Sequence, residues 1–339
     1  MVNEPQAELL SRAQAGDSAA FRELTDPYRR ELQVHCYRML GSLQDAEDAL
    51  QEALLTAWQG LGEFAGRSSL RTWLYRVTTN GCLNARRAAG RRPGKAWSVP
   101  GVEPPEPNRV SEVVWLEPFP DSLIDGAMDA RVSPEANYER RESISLAFVK
   151  ALQLLPPRQL AVLILRDVLG FHAQEVAEML DATVESANSA LKRARAGLEQ
   201  QRLPTVPRES SPAPASPTED AIVTKFVGAY ESADLDALVA LLTDDVFMSM
   251  PPLALEFEGR DVVARFCANL FGSGRRFDVM RTRANGQPAF GVYLRAATGP
   301  RPGTGLIVLT LSSDRICAIN RFESSVLGWF GLPQSLPSP

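Results

Sequence analysis

The sequence predicts a multidomain chain in which two all-α helical domains precede an α+β domain. Three observations carry this expectation. At 339 residues the chain exceeds one ordinary domain, because ~150 residues per domain gives two or three. Residues 5–92 and 135–203 place apolar side chains at helical spacing, whereas beyond residue 218 two or three helices give way to alternating strands. Between these blocks lie proline-rich stretches at 93–134 and 204–217, which read as linkers.

Composition narrows the function classes. Apolar residues make up 45% and charged residues 23% of the chain, as in folded soluble protein. The net charge of −5, taken alone, argues against a nucleic-acid partner. Cys36, Cys82, Cys267 and Cys317 lie far apart, with no C-x-x-C pair and no partnering histidine. Neither a zinc site nor a disulfide framework is expected, and no metal or cofactor is assigned. His35 and His172 are the only histidines, so histidine chemistry has little material and no catalytic residue is assigned. No signal peptide or apolar run of ~18 residues is seen, the longest being stretches such as 160–165, which points to the cytoplasm and away from a membrane.

In the first helical block, Ala46, Ala49, Leu50, Ala53, Leu54, Ala57, Trp58 and Leu61 form one apolar stripe. Asp45, Asp48 and Glu52 fall on another face as an acidic ridge. From residue 64 to 102 there is no acidic residue, yet Arg67, Arg71, Arg76, Arg86, Arg87, Arg91, Arg92 and Lys95 are all basic. Such a segment is the footprint of a polyanion partner, since cations that neutralise phosphates release condensed counterions. Trp73, Tyr75, Asn80 and Asn84 are interleaved with it. Aromatic faces stack on unpaired bases, and asparagine amides hydrogen-bond exposed base edges.

The run Asp45-Ala-Glu-Asp-Ala-Leu-Gln-Glu52, then Trp58, then Arg71-Thr-Trp-Leu-Tyr-Arg76 resembles domain 2 of the extracytoplasmic-function (ECF) sigma factors of the sigma-70 family over about residues 7–92. The resemblance implies that Asp45, Asp48, Gln51 and Glu52, with Trp58, dock on the β′ coiled coil of core RNA polymerase. It also implies that Arg67, Arg71, Trp73, Tyr75, Arg76, Asn80, Asn84, Arg86 and Arg87 face the −10 promoter element.

The second helical block, 141–203, has the pattern of a helix-turn-helix. A short helix over 171–180 precedes a turn at Asp181, and Thr183 caps a helix running to about residue 201. Glu185, Ser186, Asn188 and Ser189 lie early on that helix and reach bases, while Lys192, Arg193 and Arg195 lie further along and reach phosphates. The block resembles sigma domain 4, which implies −35 recognition and contact with the polymerase β flap. His172 and Asp181 stand where Ser or Thr and Gly are the commoner residues, and Asp tolerates turn geometry.

Residues 101–142 carry ten acidic residues against four arginines, the composition of a solvated linker. Within it, Trp115-Leu-Glu-Pro-Phe-Pro-Asp121 is too apolar to be idle, and it resembles a motif of those sigma factors that carry a C-terminal extension. Trp115, Leu116, Phe119 and Asp121 are therefore expected to dock on another domain of the same chain. The last block, 218–333, follows a helix-helix-strand-helix-sheet order with Asn285-Gly-Gln-Pro288 as a hairpin turn. It resembles a SnoaL-like cone of the nuclear transport factor 2 type. Asp244, Asp245, Glu256, Glu258, Tyr293, Arg321 and Glu323 are its candidate polar pocket residues.

These readings describe a transcription initiation factor. Residues 7–92 form sigma domain 2, 93–140 an acidic linker, 141–203 sigma domain 4, 204–217 a second linker, and 218–333 a SnoaL-like regulatory domain. Its expected partners are core RNA polymerase and promoter DNA, with an intramolecular contact between the cone and the sigma core. A small-molecule enzyme or ligand sensor fused to a DNA-binding module is the alternative for the C-terminal block.

Overall fold

Asp17 opens the first long helix. Its carboxylate accepts the N–H groups of Ala19 and Ala20 at 2.9 and 3.1 Å, which satisfies donors that every helix start leaves unpaired. Helix α1 (Glu4–Gln14) precedes this cap and α2 (Ser18–Leu40) follows it. Gly41 ends α2 at φ 72°, a left-handed conformation that costs glycine nothing. Ser42 then caps α3 (Leu43–Gly60) by accepting the Asp45 N–H at 3.1 Å. Ala46, Ala49, Ala53 and Ala57 of α3 are buried, so small side chains let α2 and α4 (Leu70–Ala88) pack against it.

The computed structural model describes residues 4–88, 95–99, 101–110, 115–125, 143–200, 209–296 and 298–338. Arg91 and Arg92, and the linker stretches 93–94, 111–114, 126–140 and 204–208, lie outside the described residues. The chain divides into two units. The first comprises Met1–Arg91, Ser122–Arg140 and Ala151–Gln201, and the second comprises Arg92–Asp121, Arg141–Lys150 and Arg202–Pro339. Residues expected to form the acidic linker therefore contribute to the second unit. Among the described residues no helix is long and apolar enough to cross a membrane.

Further along, α5 (Asp121–Asp125), α6 (Leu146–Gln153) and α7 (Pro157–Leu163) lead through a π turn at Ile164–Val168 to α8 (Ala173–Met179) and α9 (Val184–Gln200). At the α8–α9 turn Asp181 adopts φ 47°, and Thr183 Oγ1 accepts the Ser186 N–H at 3.2 Å. The His172 N–H donates to Glu175 Oε2 at 2.9 Å, so α8 starts without a Ser or Thr cap.

The second unit contains α10 (Pro217–Ser232), α11 (Leu235–Ala240), α12 (Arg260–Gly272) and, among the described residues, an eight-stranded sheet. Its strands are β1 (Arg109–Val110), β2 (Leu242–Ser249), β3 (Leu255–Glu258), β4 (Phe277–Ala284), β5 (Gln287–Leu294), β6 (Arg301–Ser312), β7 (Arg315–Glu323) and β8 (Ser335–Leu336). They are ordered β1-β3-β2-β7-β6-β5-β4, with β8 on β6, and only the β2–β7 pair among them is parallel. Asn285 and Gly286 join β4 to β5 with φ values of 58° and 74°, the paired left-handed conformation a two-residue hairpin turn demands. Phe226, Tyr230, Phe257, Phe266 and Phe290 fill the core. Apart from the short β1 and β3, the helix-helix-strand-helix-sheet order read from the sequence is observed. The short β1 and β3 carry too few residues for an alternation to register.

His35 is buried in the first unit, with Nε2 2.9 Å from Thr79 Oγ1 and its ring edge-on to Tyr75. Burial first, then the charges of Arg38 and Arg71, lower its pKa to about 3. An unfolded chain takes up a proton near pH ~6.5 that the native state refuses, so stability falls as pH drops from there towards 3. The expected slope is at most ~1.4 kcal/mol per pH unit. Urea unfolding at a series of pH values should show His35→Gln with a flatter acid limb than the parent.

Candidate nucleic-acid interface

Helix α3 is two-sided because its alanines face inward. Asp48, Gln51 and Glu52 are exposed on the opposite side, and Asp45 is half-buried near the cap. Trp58 rests edge-on against Phe21, with centroids 5.1 Å apart, so this ring belongs partly to the α2–α3 packing.

A cleft of about 440 Å³ runs between α3 and α4. It is lined by Glu52, Trp73, Arg76, Asn80 and Asn84 among others, so the structure gathers one member of the acidic ridge and four of the expected −10 residues. Trp73 is half-buried and leans on Phe64 at 5.2 Å. Arg67, Arg87 and Asn84 are exposed, and Arg87 donates to Asn84 Oδ1 at 2.9 Å.

Three residues of this face hold protein partners in α8 and the turn after it. Thr72 Oγ1 donates to Glu175 Oε1 at 3.2 Å, and Arg76 Nη2 lies 3.3 Å from Asp181 Oδ1. The Asn80 amide donates to the Met179 carbonyl at 3.3 Å. Arg71 turns the other way. Its guanidinium engages both oxygens of Glu31 at 3.0–3.2 Å and covers the rings of Tyr75 and Phe171.

Two expectations are corrected here. Tyr75 has no exposed surface and packs under Arg71 against His35 and Phe171, so its ring does not belong to a base-stacking face. Arg86 is committed to the Met39 carbonyl at 2.9 Å and Gln153 Oε1 at 2.7 Å, a staple within the helical unit rather than an open cation. Both residues share a helix with the exposed cations, and helical periodicity turned them inward.

Helix α9 buries Ala187, Ala190, Leu191 and Ala194. Glu185, Ser186, Asn188, Ser189, Lys192 and Arg193 are exposed. Arg195 is exposed too, and forms a two-point pair with Asp167 at 2.7 and 2.8 Å. The helix thus presents short polar groups early and cations later on its solvent side.

Comparison with known proteins shows the family. Family models described as Sigma-70 region 2, Sigma-70 region 4 and SnoaL-like domain match residues 24–92, 145–198 and 223–324. The ECF RNA polymerase sigma factor SigG of Mycobacterium tuberculosis is 42% identical over 327 residues, covering 93% of this chain and 85% of that protein. This chain belongs to the ECF sigma factors. The RNA polymerase sigma-H factor of Pseudomonas aeruginosa is 29% identical over 204 residues, covering 60% of this chain and 97% of its own length. The crystal structure of the M. tuberculosis ECF sigma factor SigJ shares the fold at a TM-score of 0.56 and 22% identity, covering 87% of this chain and 93% of that one.

In the second unit of this sigma factor, the motif at 115–121 meets the β4–β5 turn. Leu116 and Phe119 are buried and Trp115 is half-buried. The Phe119 N–H donates to Asn285 Oδ1 at 2.8 Å, and the Asn285 N–H returns to the Phe119 carbonyl at 2.9 Å. Asp121 accepts the Gly286 N–H at 2.7 Å and pairs with Arg283, which also donates to Glu219 at 2.6 Å. The Asn285 amide donates to the Ile144 carbonyl at 2.7 Å. Sequence reasoning identified the motif and the turn but not their union, because an Asn-Gly pair signals a turn whether or not its side chain is engaged elsewhere.

The candidate polar pocket residues disperse. Glu256 forms a buried ion pair with Lys150, whose ammonium also lies 4.7 Å from the centre of the Phe247 ring. Asp244 pairs with Arg260, Glu258 with Arg109 and Glu323 with Lys95. Tyr293 donates to the Pro333 carbonyl. Of the candidates, Arg321 lines the cavity of the cone, where Tyr230 of α10 joins it.

Replacing Asn285 by Ala leaves the Phe119 N–H and the Ile144 carbonyl without their partners, each worth ~1–3 kcal/mol when buried. Urea denaturation of the full chain should show Asn285→Ala markedly destabilised, with hydrogen exchange accelerated at Phe119.

Proposed function

We propose that this sigma factor brings core RNA polymerase to promoters through two adjoining surfaces of its first unit. Asp45, Asp48, Gln51 and Glu52 offer a negative ridge that suits a basic protein surface, the β′ coiled coil in the sigma resemblance. Arg67, Trp73, Arg76, Asn80, Asn84 and Arg87 offer a positive, aromatic cleft that suits an unstacked strand of the −10 element. Exposed residues of α9 suit the −35 duplex, with Glu185, Ser186, Asn188 and Ser189 reading bases and Lys192, Arg193 and Arg195 on phosphates. The factor acts by binding rather than by catalysis. One observation carries the reading: Glu52 and the Trp73–Asn80–Asn84 row line a single cleft, so polymerase binding and strand capture fall on neighbouring helices.

Run-off transcription with core polymerase separates the surfaces. Trp73→Ala with Asn80→Ala should abolish open-complex formation while core binding persists. Asp48→Arg with Glu52→Arg should instead lose core binding. Loss of both activities in the first pair would mean that the faces are assigned wrongly.

In this arrangement Thr72, Arg76 and Asn80 are occupied by Glu175, Asp181 and Met179, so strand capture requires those contacts to be released. The Arg76–Asp181 pair is exposed and of the kind worth under ~1 kcal/mol, and the other two are part-buried hydrogen bonds worth on the order of 1 to 2 kcal/mol each. Glu175→Ala with Asp181→Ala should strengthen binding of a single-stranded −10 oligonucleotide to the free factor, read by fluorescence anisotropy. The C-terminal domain would modulate the factor in cis, through its hold on Phe119 and Asp121 of the linker.

A further inference from the structure

The SnoaL-like domain sets an arginine on the wall of its cavity without a direct ion pair among the described residues. Arg321 on β7 lies opposite Ile307 of β6, and both face the apolar interior together with Ile319. The Arg321 guanidinium donates to the Thr304 carbonyl at 2.9 Å, and among the described residues no carboxylate is paired with it. Glu323, two residues on, is held by Lys95 at 2.6 Å. Burial draws the pKa of Arg321 below the ordinary guanidinium value, yet such a group keeps its proton at any working pH. Arg321 is half-buried and donates to a single neutral acceptor, so an anion entering from the cavity side would add a charge-assisted hydrogen bond there.

The space in front of it specifies the anion. A cavity of about 210 Å³ is lined by Trp97, Tyr230, Phe266, Leu270, Arg275 and Phe277, besides Arg321 itself. A deeper cavity of about 30 Å³ shares Tyr230, Phe266, Leu270 and Arg321 with it. Two arginines and several rings line these walls, with no acidic side chain. The volume equals several waters at ~30 Å³ each, too little for a nucleotide and enough for a small organic acid.

We propose that this cavity binds a small apolar carboxylate, its anionic end on Arg321 and its hydrocarbon or aryl body among Phe266, Leu270, Phe277 and Trp97. The Trp97 wall belongs to the segment that follows α4 in the chain. Lys95 N–H donates to the Pro252 carbonyl, Trp97 Nε1 donates to the Val102 carbonyl at 2.7 Å, and the Trp97 ring stands edge-on to Phe266 at 5.8 Å. A ligand under Trp97 therefore binds better when this strap is seated than when it is lifted, and by linkage it favours the seated state. The site thereby couples a metabolite of this class to the linker, and its occupancy is measured without polymerase or DNA, independently of the promoter reading.

Phenylacetate is the probe, with phenylacetamide as the neutral isostere and inorganic phosphate as the bare anion, titrated into the full chain by calorimetry and tryptophan fluorescence. Phenylacetate should bind with a Kd of about 1 mM or tighter, with phenylacetamide about tenfold weaker or worse. The fluorescence response should vanish in Trp97→Phe, and hydrogen exchange at 95–102 should slow on binding. Arg321→Gln should lose binding by about tenfold or more, Arg321→Lys should retain part of it, and Leu270→Trp should block the cavity with the charge intact. Circular dichroism melts confirm that each variant is folded. Equal binding of acid and amide, equal binding of phosphate, full binding by folded Arg321→Gln and Leu270→Trp, or no binding of phenylacetate at millimolar concentration would each overturn the proposal.

Discussion

A single buried amide organises the second unit. Asn285 turns the β4–β5 hairpin with a left-handed backbone, and its side chain and backbone together clasp Phe119 while reaching the Ile144 carbonyl. Three segments far apart in sequence are thus tied at one residue that is 1% exposed. Away from water each of these bonds is strong and each vacancy is expensive, so the arrangement forms as a whole or not at all. Arg283 reinforces it from one side by bridging Asp121 and Glu219. Once Phe119 is fixed, Leu116 and Trp115 are confined to the same surface, and an acidic linker becomes part of a folded domain.

The contacts across the basic, aromatic side of α4 are of another kind. Arg76 and Asp181 remain half and three-quarters exposed in their pair, and their attraction is opposed by water, salt and side-chain entropy. The clamp at Asn285 is buried, whereas the α4–α8 contacts are part-buried or exposed and open to competition from water. A surface destined for a partner is best covered by interactions that cost little to give up.

Charge segregation explains how a chain of net charge −5 can serve promoter DNA. The basic residues of α4 and the stretch after it are concentrated in residues 64–102, which hold no carboxylate, while acidic residues cluster on the α3 ridge and in the linker. The local field, not the sum, governs encounter with a polyanion. The same logic in miniature operates inside the cone, where half-buried Arg321 lines a cavity without an acidic wall and the neighbouring Glu323 is engaged by Lys95.

Much of this protein was legible in its residues. Helical spacing exposed α3, α4 and α9, because burying one face of a helix imprints a period on the sequence. The ridge, the Trp73–Asn80–Asn84 row and the polar start of α9 were visible for the same reason, and Asn285-Gly286 declared a hairpin since few other pairs adopt two left-handed residues. Tertiary structure alone decided that Tyr75 and Arg86 turn inward, since a cation and a phenol on a basic helix look alike whether they meet solvent or a neighbour. It alone joined Phe119 to Asn285, brought Lys150 to Glu256 and left Arg321 facing a cavity, because pairing across many residues of chain leaves no local period to read. Sequence determined which surfaces this sigma factor owns, and folding determined which of their side chains remain free to act.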